Sequence, residues 1–159
     1  MKRHYHLRIW PVLCVVALDQ VTKWAVVKRI PPYGVIEVIS GFFNLVHIRN
    51  PGIAFGLVGQ GQGKWIAPLL LGLSFAAIIL LIWWSFKAGE EMGLFVVSLS
   101  VILGGAIGNV VDRLRFGEVI DFLDFHLGQY HWPAFNVADS AITIGTFCLA
   151  YCLLLSPKR

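Results

Sequence analysis

The nine acidic residues of the chain are Asp19, Glu37, Glu90, Glu91, Asp112, Glu118, Asp121, Asp124 and Asp139. Glu90 and Glu91 stand in a polar stretch, Glu37 lies in a long connection, and all three read as solvated charges. Two other groupings could do chemistry. Asp121 follows one long apolar run, and Asp139 opens the next. The stretch between them is long enough to return Asp139 to the depth of Asp121. Two facing carboxylates cannot both ionise comfortably, so they share one proton. The ionised member can take a proton from water while the protonated member hydrogen-bonds a carbonyl oxygen. That is general acid–base amide hydrolysis without a metal or a covalent intermediate. A local alternative stays open, because Asn136-Val137-Ala138-Asp139 also resembles a helix-capping box.

Asp19 and Lys23 form the second grouping. They are spaced i, i+4 with the acid first, the favourable helical order. Charges inside an apolar segment are costly and usually face a bundle interior as a pair. A structural ion pair and a direct role at a site are both compatible with this spacing. Rival chemistries lack support. No HExxH, Walker loop or GxGxxG occurs, and His4, His6, His47, His126 and His131 lack ligand spacing. Cys14, Cys148 and Cys152 sit in apolar runs without a CxxC, as packed or lipid-facing thiols rather than a disulfide or zinc framework. No cofactor or metal is expected.

The elements that must position these residues follow from composition. The chain has 159 residues, of which 57% are hydrophobic and 14% charged, with a mean hydropathy of +0.73. Soluble domains carry about a quarter charged residues. This shortage excludes an ordinary soluble enzyme, a disordered tail and a nucleic-acid binder. The net charge of +4 suggests membrane flanks. A spanning helix takes about 20 apolar residues. Four candidates run over about 9–27, 65–86, 93–111 and 135–155, within one domain covering 1–159. The expected fold class is therefore all-α polytopic membrane protein, with four transmembrane helices and a small β-rich outer segment.

That segment comes from two connections, 28–64 and 112–134. Pro31-Pro32-Tyr33-Gly34 reads as a turn. Residues 35–39 and 43–48 read as short strands, and Gly59-Gln60-Gly61-Gln62-Gly63 as a flexible end. Phe122, Phe125, Tyr130, Trp132 and Phe135 cluster as an interfacial aromatic belt would. Residues 87–92 form a short hairpin on the other side. Gly104-Gly105-Ala106-Ile107-Gly108 reads as close helix packing by small residues. Four spans put both termini on one side. The basic tally of the two sides ties, and the basic start with the Lys158-Arg159 end favours cytoplasmic termini. A cleavable secretory signal over the first 18 residues is the rival for the first span.

Five blocks, in order, resemble lipoprotein signal peptidase (signal peptidase II) of bacterial inner membranes. They are Asp19-Gln20-Val21-Thr22-Lys23; Asn50-Pro51-Gly52-Ile53-Ala54-Phe55-Gly56; Gly104 through Arg113; Val119-Ile120-Asp121-Phe122; and Phe135-Asn136-Val137-Ala138-Asp139-Ser140. The resemblance covers essentially the whole chain. It implies catalytic aspartates at Asp121 and Asp139. It implies binding or supporting roles for Asp19, Lys23, Asn50, Gly52, Gly105, Asn109, Asp112, Arg113 and Asn136. It further implies diacylglyceryl-prolipoprotein substrates cut before the lipidated cysteine, contact with membrane lipid, and inhibition by the cyclic peptide globomycin. The site would lie near the periplasmic face of a multi-pass inner-membrane protein. The alternative from another class is a small four-span transporter using its intramembrane charges. Transporters place key charges near the midplane, often with inverted repeats, whereas these acids crowd one end. A non-catalytic assembly subunit would leave the paired aspartates without a purpose.

Overall fold

A computed structural model describes residues 5–52, 66–88 and 93–154. Four long helices dominate: α1 (Tyr5–Arg29), α2 (Ile66–Lys87), α3 (Gly93–Phe116) and α4 (Val137–Leu154). All four are long and apolar enough to cross a membrane. α1 is one continuous helix, and its middle packs against α3 and α4. Between the helices lie β1 (Val35–Ile39), β2 (Phe43–Asn50), β3 (Val119–Leu127) and β4 (Tyr130–His131). Glu90, Glu91, most of the 87–92 hairpin, the glycine-rich 59–63 stretch and residues 53–56 of the loop block lie outside the described residues.

α3 is the hub of the bundle and packs against each of the other three helices. Its glycines explain how. A Cβ on Gly104 would stand 2.8 Å from the Val15 Cβ of α1, and one on Gly105 only 2.4 Å from the Ala138 carbonyl oxygen of α4. At Gly108 it would stand 2.6 Å from an Asp19 carboxylate oxygen. With no hydrophobic drive between helices in lipid, such close backbone approach supplies the packing. Trp84 of α2 meets Phe95 of α3 edge-on at 5.4 Å. The outward faces of α1, α2 and α4 expose large apolar side chains, Trp24, Leu73, Ile79 and Phe147 among them, as lipid-facing surfaces do.

The strands form one antiparallel sheet in the order β1-β2-β3-β4. Ile48 pairs with Asp121 and Asn50 with Val119, after an irregularity between Leu45 and Ile48. Val26 and Ile30 from the end of α1 pack with Ile120 and Phe122 of β3. His47 Nδ1 lies 2.8 Å from the Ile30 carbonyl oxygen and ties β2 to the same helix end. The sheet is thus fixed to one end of the bundle.

Two expectations need correction. α3 continues to Phe116, so Asp112 and Arg113 sit on the helix rather than in the following connection. The aromatic cluster is not a single belt. Phe122 is 4% exposed and Phe125 stacks between Phe43 and Phe135, whereas Tyr130 and Trp132 are 87% and 69% exposed. The residues on the paired strand fill the sheet's apolar contacts, and only the hairpin tip is free to face an interface.

Candidate active site

Asp121 lies on β3, 2% exposed. Its two oxygens are held separately. Asn50 Nδ2 donates to Oδ2 at 2.9 Å, and Asn136 Nδ2 donates to Oδ1 at 2.7 Å. The β2–β3 register makes the first bond possible, because Asn50 ends β2 two residues beyond the Asp121 partner, Ile48. Gly52 completes that corner. Its φ is +83°, and its N–H donates to Asn50 Oδ1 at 2.8 Å. Arg113 stands beside it, half-buried, with no hydrogen-bond partner among the described residues.

Asp139 is the third residue of α4. Its Oδ1 accepts from Asn109 Nδ2 at 2.8 Å. Its Oδ2 accepts a longer 3.3 Å bond from the Asn136 N–H, while its own N–H donates to Asn136 Oδ1 at 2.9 Å. The capping box read from the sequence therefore exists, and the same carboxylate reaches α3 as well. Asn136, 0% exposed, is common to both acids, since its side-chain amide holds Asp121 and its backbone holds Asp139. Burial raises Asp121 to about 6, helped by the nearby Asp139 charge and opposed by the Asn50 and Asn136 hydrogen bonds.

Beneath the pair lies a buried charge cluster. Lys23 Nζ is 2.9 Å from Asp19 Oδ2, 2.7 Å from Asp112 Oδ2 and 3.1 Å from Asn109 Oδ1. Asp112 Oδ2 also accepts the Ile120 N–H, next to Asp121, at 3.1 Å. Asp19 Oδ1 accepts the Ala138 N–H, next to Asp139, at 2.9 Å. The cluster thus holds the backbone on both sides of the two-carboxylate site. Asp124 is a separate matter. Burial acts to raise it, but hydrogen bonds to His131 and Asn44 outweigh this and hold it below the usual carboxylate range.

This geometry has counterparts. Residues 11–155 match the family model described as signal peptidase (SPase) II. The chain belongs to the signal peptidase II family. A relative named lipoprotein signal peptidase, from Desulforapulum autotrophicum, is 46% identical over 137 residues, 86% of this chain and 85% of its own length. One of the same name from Burkholderia mallei is 48% identical over 139 residues, covering 87% and 82%. A solved structure described as a bacterial membrane enzyme, determined by the in meso method at 1.9 Å resolution, superposes with a TM-score of 0.84. It is 30% identical and covers 98% of this chain and 97% of that one. Family membership makes this protein a membrane-embedded peptidase.

The structure brings Asp19, Lys23, Asn50, Asn109, Asp112, Asp121, Asn136 and Asp139 into one connected network. Gly52 abuts it, and Gly105 lets α3 approach α4. Arg113 stays at its margin, next to Gly52. One further member, quoted in the first block, was given no role of its own from the sequence. Gln20 Nε2 lies within hydrogen-bond distance of Asp19 Oδ2, Asp112 Oδ1 and the Gly108 carbonyl. The available signal was an amide adjacent to a charge inside an apolar span, a position where polar groups need partners.

Proposed function

We propose that the protein is an aspartic endopeptidase. It removes signal peptides from bacterial prolipoproteins, cutting before the diacylglyceryl-modified cysteine, with Asp121 and Asp139 as its working pair. The observation that carries this reading is the convergence of the two acids on one buried amide, Asn136, at the junction of sheet and bundle. The names of the curated relatives supply the substrate class.

Asp121 keeps its proton to higher pH than an ordinary carboxyl, so it is the acid. Asp139 is the base, and Oδ2, with only a 3.3 Å bond, has the most capacity left to meet water. Asp139 takes a proton from water, and the water oxygen bonds to the scissile carbonyl carbon. Asp121 gives its proton to the carbonyl oxygen, which forms a gem-diol. Asp139 then passes its proton to the leaving amide nitrogen as the C–N bond breaks, and a diol hydroxyl returns a proton to Asp121. The result is one carboxylic acid, one amine and a regenerated pair. Each proton transfer of this kind contributes about 10²–10⁴-fold.

The site belongs at the periplasmic face of the inner membrane, with both termini cytoplasmic. There the substrate's signal helix packs among the spans and its acyl chains stay in membrane lipid. Arg113, which has no partner among the described residues, and the corner at Gly52 are where the substrate backbone, or globomycin in its place, would be gripped. The test is cleavage of a synthetic lipopeptide by purified Asp121→Asn and Asp139→Asn proteins. Each should lose at least about 10³-fold in kcat. Wild-type turnover in either variant refutes the pair. The intramembrane-transporter alternative predicts no cleavage by any form.

A further inference from the structure

We propose that Lys23 is a positioning residue for the reaction, acting on Asp139 by fixing the orientation of the Asn109 amide. The inference rests on Asp121 and Asp139 being the working pair.

An ammonium group has three donors and no acceptor. All three are used here, on Asp19 Oδ2 at 2.9 Å, Asp112 Oδ2 at 2.7 Å and Asn109 Oδ1 at 3.1 Å. An asparagine side chain has nearly the same shape with its oxygen and nitrogen exchanged, so packing alone does not choose between the two. Charge does. Turned the other way, Asn109 would point an N–H at a buried ammonium and its oxygen at the Asp139 carboxylate, two repulsive contacts in place of two attractive ones. With Lys23 in place, the Asn109 nitrogen must face Asp139, where it donates to Oδ1 at 2.8 Å. The Asn109 oxygen also accepts from Asn136 Nδ2 at 3.3 Å. Asn136 is fixed in turn, because its oxygen already accepts the Asp139 N–H, and so its nitrogen faces Asp121.

A single cation on α1 therefore polarises a chain of two amides that ends on both carboxylates. The amide donor occupies Asp139 Oδ1 and leaves Oδ2 as the oxygen that meets water. Without the cation the Asn109 oxygen keeps only the longer 3.3 Å bond from Asn136, so the amide is held less firmly and the donor on Asp139 Oδ1 is less well placed. Lys23 is 3% exposed and separated from Asp139 by Asn109, so it has no route to the substrate. Its charge reaches Asp139 through the amide, and it acts on Asp121 directly only as the smallest of the influences there.

The experiment is a double-mutant cycle of Lys23→Met and Asn109→Ala, with kcat on a lipopeptide and thermal midpoint measured for each protein and Asp139→Asn as reference. Lys23→Met alone should lower kcat by about 10²-fold, the usual consequence of misplacing a reacting group by an ångström, with KM little changed. In the Asn109→Ala background the same substitution should lower kcat by less than about threefold while still lowering the midpoint. That pattern separates positioning from stability, because a purely structural Lys23 would lower kcat equally in both backgrounds, and that outcome overturns the proposal. If Lys23→Met does not accumulate, Asn109→Asp replaces it. It keeps an oxygen for Lys23 but offers Asp139 no donor, so kcat should fall by the same order, and an unchanged kcat overturns the proposal. An active Asp139→Asn would instead remove the reading on which the proposal stands.

Discussion

A methyl group added at Gly105 tests whether the two acids depend on the closeness of α3 and α4. A Cβ there would stand 2.4 Å from the Ala138 carbonyl oxygen and 2.8 Å from Ile142 Cγ1. Ordinary contact begins near 3.4 Å, so the helices must part locally by about 1 Å. The obstacle is backbone, which cannot rotate away. Asn109 lies one turn further along the same face of α3, and Ala138 immediately precedes Asp139, so the displacement falls on the 2.8 Å bond between Asn109 and Asp139. Overpacking of this kind costs about 1–3 kcal/mol, and an ångström at a reacting group costs about 10²-fold in rate. Gly105→Ala should therefore reduce kcat on a lipopeptide by about that factor and lower the thermal midpoint in detergent or lipid. Gly72→Ala in α2 is the control, since a Cβ there meets nothing within 4 Å and alanine favours a helix interior by up to about 1 kcal/mol. Wild-type turnover by Gly105→Ala would show that the acids tolerate helix separation and would refute the reasoning, whatever happened to stability.

The raised Asp121 sets a pH limit. The acid form is needed, so kcat/KM of the free enzyme should fall as pH rises through about 6, and a profile flat from pH 5 to 8 contradicts the assignment. The same shift has a stability sign. A carboxyl raised from 3.8 to about 6 favours the folded state while protonated and loses that contribution as pH climbs through this window. Asp121→Asn should flatten this part of the thermal-midpoint profile. Asn50→Ala removes a bond that lowers Asp121, so it should cut kcat at least about tenfold and move the alkaline limb to higher pH. A limb that stays in place would mean Asn50 does not act on Asp121. Incubation with a strong chelator should leave turnover at the wild-type level, and loss of activity restored by a divalent metal would exclude the two-carboxylate chemistry.

Much of this architecture was legible because the signals are local. Twenty-residue apolar runs have few alternatives to spanning helices, and the β-branched residues of Val35–Ile39, following a Pro-Pro-Tyr-Gly turn, favour a strand. β3 was harder. Asp121 and Asp124 interrupt its apolar sequence, and both are buried because partners from β2, β4 and the residue that caps α4 supply donors. The end of α3 was misplaced for the same reason. Asp112 looks like the charge that closes a span, yet it lies inside the helix because Lys23, remote in sequence, pairs with it. The bond between Asn50 and Asp121 depends on a register that shifts between Leu45 and Ile48, and no periodicity encodes such a shift. Contacts that depend on a distant partner left only their chemistry in the sequence, as polar residues where apolar ones would be expected.

The local and chemical readings of Asn136 and Asp139 were posed as alternatives, and the hydrogen bonds show why both can hold. A helix N-terminus presents N–H groups without partners, and a capping acid normally spends its oxygens on them. Here the cap is divided. Asn136 Oδ1 takes the Asp139 N–H at 2.9 Å, and Asp19, brought in from α1, takes the Ala138 N–H at 2.9 Å. Asp139 itself gives the helix only the 3.3 Å contact through Oδ2. The neighbours cap α4 in its place, which leaves this carboxylate in the favourable field of the helix terminus with an oxygen still available. Asp19 accordingly links stability to chemistry. Asp19→Asn keeps its size but can turn an N–H toward Ala138, so α4 should fray at its first turn. Hydrogen exchange at residues 137–140 should then rise together with a fall in kcat. A fall in kcat with unchanged exchange there would mean that Asp19 acts on the acids by some route other than the helix end.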